Sequence, residues 1–146
     1  MSSAMPEPVD RGATLADRLL VPFAERSPAE QAIGGLVIPV LFGAVCGVVL
    51  GWSAAAYWVL QLVAALGGVA AGFEHRGARA GAVRGVVGGL LFGAGVLLGH
   101  AVAGTDATID SAAPAFLPVI TAVLGSAFGA AGGARRRAYD AGRPAL

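Results

Sequence analysis

Between Glu30 and Glu74 the chain runs through residues 31–73 without one charged side chain. A helix crosses the hydrocarbon core of a bilayer with about 20 apolar residues. The stretch is therefore too long for a single span, even a tilted one, and must turn back on itself. Gly51-Trp52-Ser53 is the place. Trp52, Tyr57 and Trp58 cluster there, as aromatic side chains do at a membrane–water interface. Helices are expected over about 30–51 and 54–73, and two further apolar runs give 85–103, with a start at 85 or a turn or two earlier within the arginine stretch, and 114–133. Composition agrees: 13% of residues are charged, against about 25% in soluble chains, and mean hydropathy is +0.73. The expected class is an all-α integral membrane protein with four transmembrane helices.

Three segments follow. Residues 1–27 form a polar tail with a possible short interfacial helix, residues 28–134 the four-helix domain, and residues 135–146 a basic tail. In the first, Thr14 and Asp17 have capping-box spacing, and Leu15, Leu19 and Phe23 make an apolar stripe. That fits a helix lying in the headgroup layer or a partly ordered tail. No basic start runs into a short apolar core with a cleavage site, so the first span is expected to be retained. Ser27-Pro28-Ala29-Glu30 carries the signature of a helix start: Ser caps, Pro suits the first turn and Glu completes the box. Pro39 removes a backbone donor in mid-span and predicts a bend, with a neighbouring helix or a local backbone adjustment covering the gap.

Every one of the ten basic residues is an arginine. Together with the abundant Gly, Ala and Val, this fits GC-rich coding and a bacterial source. Arg76, Arg79 and Arg84 lie between the second and third runs, and Arg135, Arg136 and Arg137 follow the fourth. The connections near Trp52 and at residues 104–113 hold none. Positive residues stay inside, so both termini are expected in the cytoplasm and the protein in the cytoplasmic membrane.

Small residues recur every four positions: Gly43, Gly47 and Gly51; Gly68 and Gly72; Gly81, Gly85, Gly89 and Gly93; Gly125, Gly129 and Gly133. Lipid gives helices little hydrophobic reason to associate, so such rows serve close backbone packing. They can pack one chain's helices together or join copies into an oligomer. Leu41-Phe42-Gly43-Ala44 recurs as Leu91-Phe92-Gly93-Ala94, and Leu66-Gly67-Gly68 resembles Leu124-Gly125-Ser126. This raises the alternative of two tandem, parallel hairpins against chance likeness among Gly/Ala/Leu-rich helices.

Glu74, His75 and Arg76 can be read as a proton relay or a phosphate patch, or as an interfacial turn. In the second reading these residues, with Arg79, Arg84 and Arg135–137, meet anionic headgroups or a partner, and Glu74 pairs with one of the last three. His100, with Asp106 and Asp110, makes a poor metal site, and no metal or cofactor is expected. The lone Cys46 allows no intrachain disulfide. Spans without charge away from their ends argue against proton-coupled transport. Gln61 and Thr121 are the main polar groups within them. No P-loop, nucleophile elbow or zinc-protease motif is present, so an enzyme is not expected, and nothing points to nucleic acid. Three functions remain. The first is a non-catalytic membrane subunit or scaffold joined to a larger membrane protein. The second is a homo-oligomeric pore lined by Gln61 and Thr121, with Asp106 and Asp110 at its mouth. The third is a membrane enzyme using Glu74, His75 and Arg76.

Overall fold

Ser27 opens the first helix in the way its sequence implies. Its hydroxyl accepts from Glu30 N–H at 3.3 Å, and its own N–H donates to the Glu30 carboxylate at 3.0 Å. The structure is a computed structural model that describes residues 22–107 and 114–142. Helix α1 spans Pro28–Leu50, α2 Ala54–Phe73, α3 Ala78–Ala103 and α4 Leu117–Ala141. Each of these is long and apolar enough to cross a membrane. Short 3-10 turns at Phe23–Glu25 and Pro114–Phe116 precede α1 and α4. No strand occurs among the described residues.

Local chemistry sets the boundaries. Ser53 caps α2 by accepting from Ala56 N–H at 3.3 Å. Gly77 (φ 133°) and Gly104 (φ 62°) bracket α3 in backbone regions that side chains disfavour. The third helix thus takes the earlier of the expected starts, about two turns before 85 and inside the arginine stretch. The fourth continues past 133, so Arg135, Arg136 and Arg137 lie on a helix rather than in a tail. Alanine and arginine both favour helix, and nothing in Ala134–Ala138 stops it. The stripe of Leu15 and Leu19, and the loop from Thr108 to Ser111, lie outside the described residues.

At Pro39 the regular helix gives way beforehand, as a π-turn over Ile33–Val37. Ile38 N–H donates to Ile33 O, five residues back. The Gly34 carbonyl, four residues back, receives instead the Arg84 guanidinium of α3 at 2.6 Å. One proline therefore ties α1 to α3.

The helices do not pack in chain order. α3 lies most closely on α4 and next on α1, while α2 rests mainly on α4. α1 and α2, though joined by a tight turn, touch little. The small residues choose the neighbours. A Cβ at Gly43 or Gly47 would overlap the Phe92 or Val96 carbonyl, and one at Gly95 or Gly99 the Val40 or Ala44 carbonyl, which sets α1 parallel to α3. Gly81 with Gly129 and Gly85 with Gly125 meet reciprocally, backbone on backbone, which sets α3 antiparallel to α4. Gly72 and Gly132 bring α2 parallel to α4. The two hairpins are thus unlike: the second is closed along its length and the first splayed. Larger side chains fill the far end, where Cys46, Leu50, Tyr57, Phe92 and Val96 form the buried cluster.

Candidate functional site

Most of the chain's charge gathers at one end of the bundle. The turn at Phe23–Glu25 lies across the α2–α3 connection: Phe23 N–H donates to Glu74 O at 3.2 Å, and its ring stacks on His75 at 5.4 Å. Arg26 pairs with Glu74 at 2.9 Å, both side chains largely covered. Gln31 donates to the Arg26 carbonyl at 2.8 Å, which fixes the start of α1 over that pair. Arg76 and Glu25 form a looser, exposed pair at 3.6 Å. Such exposed pairs contribute little, about 0–1 kcal/mol.

The expected pairing of Glu74 with Arg135, Arg136 or Arg137 is therefore replaced by Arg26. Arg136 turns to its own helix and bonds Asp140 through Nε at 3.0 and 3.1 Å. It is buried against Phe73, 5.5 Å from that ring's centre, with Tyr139 packed on the same ring. Arg135 and Arg137 are exposed.

Glu74, His75 and Arg76 point to different partners. His75 Nδ1 lies 3.1 Å from the Ala71 carbonyl and so donates to it. A proton relay needs an acid and an imidazole in hydrogen-bond reach of each other. Here Glu74 bonds Arg26 and the imidazole bonds backbone.

Arg84 is the most unusual of the cations. Besides the Gly34 carbonyl it meets the Phe23 ring, 5.6 Å from its centre, and its Nε is buried without a hydrogen-bond partner. Arg79 is exposed and makes no ion pair among the described residues. Both line an open-sided groove of about 740 Å³ between the first turns of α1 and α3. The importance of Phe23, Arg26 and Gln31 was not legible in the sequence. Arg84 did leave a signal, because Pro39 implies a carbonyl upstream in need of a donor.

Elsewhere the polar groups serve the fold. Thr121 Oγ1 lies 2.7 Å from the Gly89 carbonyl of α3 and within 3.1 Å of the Leu117 and Pro118 carbonyls, so its one proton is shared among three acceptors. Gln61 is half-buried on α2. Asp106 is exposed and Asp110 lies outside the described residues. His100 is half-buried with Nδ1 unbonded. No three metal-ligating side chains converge among the described residues. Of the remaining glycines, Gly89 and Gly93 pack against Thr121 and Pro118, Gly133 against Gly77, Gly51 against Thr105, and Gly68 against Phe128 at 3.4 Å.

The fold and site define a helical bundle with four helices fit to cross a membrane and a basic end. Comparison with protein-family models, with curated proteins and with solved structures gives no match.

Proposed function

We propose that the chain is a multi-pass protein of a cytoplasmic membrane, with its arginine-rich end inside, and that it acts as a non-catalytic subunit or scaffold. In this reading α2 receives a helix of a larger membrane protein. One observation carries it. Of the glycines within the four helices, Gly67 alone would meet nothing within 4 Å if given a Cβ, whereas the others are covered by the chain itself. Gly67 lies on α2, of whose apolar window only 6% is buried, against 22–28% in the other helices. Trp58, Val59, Leu62, Val63 and Leu66 are exposed on the same helix. Small residues that admit a close backbone, beside larger apolar ones, suit helix association in lipid. Support for the inside orientation comes from Arg76, Arg79 and Arg84 in one connection and the arginines of α4 ending beside Phe73. A pore draws less support, because Thr121 spends its hydroxyl proton on backbone carbonyls.

The test places a photo-crosslinker at Leu62 on α2, and at Leu41 on α1 as control, in the native membrane. One larger membrane protein captured from Leu62 alone is expected, and Gly67→Leu should release it with the bundle's melting unchanged. Liposomes holding the purified protein should stay ion-tight. Self-crosslinking of a discrete oligomer together with ion flux would replace the scaffold with the pore.

A further inference from the structure

We infer that the groove between α1 and α3 is a binding site for one anionic phospholipid of the inner leaflet. The inference rests on membrane insertion as proposed above, but not on any partner at α2. His75, Arg79 and Arg84 stand at the basic end of the groove, and Leu36, Val83 and Val87 line it as well. The three apolar side chains are exposed.

Charge bookkeeping selects the ligand. Glu74 is taken by Arg26, Glu25 by Arg76, and the Glu30 carboxylate turns back onto Ser27. Among the described residues Arg79 and Arg84 are left without a carboxylate, and Arg84 has a buried, unbonded Nε. A guanidinium satisfied on one edge and free on another suits a phosphodiester, which accepts at several oxygens. Basic pockets between helices at the cytoplasmic face bind anionic headgroups in general. The apolar wall decides between a lipid and a free anion. A phosphate ion gains nothing from Leu36, Val83 and Val87, whereas an acyl chain lies along them.

Native mass spectrometry of the full chain, released from nanodiscs of mixed phosphatidylglycerol and phosphatidylcholine, tests this. One phosphatidylglycerol should stay bound while phosphatidylcholine is lost. Arg79→Gln removes a side chain that makes no ion pair, so the fold is preserved, and should weaken retention by about fivefold. Arg84→Gln should weaken it further. Because that variant also loses the Gly34 bond and can unfold, Ala80→Trp provides a second check: it fills the groove and leaves every arginine in place. It should abolish retention. Equal retention of both lipids, or retention unchanged in Arg79→Gln and Ala80→Trp, would overturn the site. So would inorganic phosphate raising the melting temperature as far as phosphatidylglycerol does.

Discussion

A single methyl group is the unit that separates the glycines of this chain. At Gly129 a Cβ would run into the Gly81 carbonyl, and at Gly67 it would enter open space. Gly129→Ala must push α3 and α4 apart and should destabilise by about 1–3 kcal/mol, the usual range for overpacking. Gly67→Ala meets nothing and should stabilise by about 0.5–1 kcal/mol, since alanine loses less backbone freedom in a helix. Unfolding of both variants in the same detergent, followed by circular dichroism, should give opposite signs. A second contrast concerns Thr121. Thr121→Val keeps the shape but leaves the Gly89 carbonyl without its donor, and should lose about 0.6–1.7 kcal/mol, the range for such bonds between membrane helices. Thr121→Ser, which restores the donor, should recover most of that in the same assay.

At the scale of elements, the helix starts at Ser27 and Ser53 and the turn at Gly51 were legible because each is set by neighbours in sequence. So were four apolar runs. What escaped were boundaries and partners decided in three dimensions. The arginines after residue 134 read as a stop, yet α4 carries them onward because Arg136 finds Asp140 one turn ahead and the Phe73 ring beside it. Glu74 has an arginine within reach at the start of α1 that no spacing rule announces. Pro39 lies between these cases: the sequence calls for a bend and for either a neighbouring helix or a local backbone adjustment to cover the gap, but cannot say that a π-turn and Arg84 do so together. The link is testable as a coupling. Arg84→Met deletes a charged bond to a backbone carbonyl and should cost about 1.5–3 kcal/mol in the wild-type background. Once Pro39→Ala restores the missing N–H, that N–H can reach the Gly34 carbonyl, five residues back in the register of the π-turn, without outside help. The same arginine substitution should then cost measurably less. A double-mutant cycle on thermal unfolding reads the difference, and strict additivity would mean that the π-turn and Arg84 are independent.

For the molecule as a whole, the unequal hairpins matter more than the count of helices. A tandem repeat of two-helix units would lead one to expect α1 on α2 as α3 lies on α4. Instead Gly43 and Gly47 of α1 face α3, Gly68 and Gly72 of α2 face α4, and the α1–α2 hairpin is held open by the pair between them. Helices built from similar Gly, Ala and Leu residues cannot announce such partners, because the choice depends on which faces the small residues share. It follows that the second hairpin is the part of the fold that can stand alone. Expressed as a fragment from Gly77 onward, α3 and α4 retain their reciprocal contacts, from Gly77 with Gly133 through Gly93 with Pro118. A fragment ending at Arg76 retains the turn at Gly51, the sparse contacts of α1 with α2, and the contacts of Phe23, Glu25 and Arg26 with residues 74–76. Proteolysis in micelles should therefore spare the second fragment and digest the first. When the two are expressed together, the first should become resistant, because α1 and α2 find α3 and α4 already in place. The Arg26–Glu74 pair stays within the first fragment and cannot supply that protection, so Gly99→Leu, which blocks the α1–α3 crossing, should abolish it. If the first fragment resisted proteolysis alone as well as the second does, the two hairpins would be equivalent units after all, and the splayed arrangement would not describe the protein in a membrane.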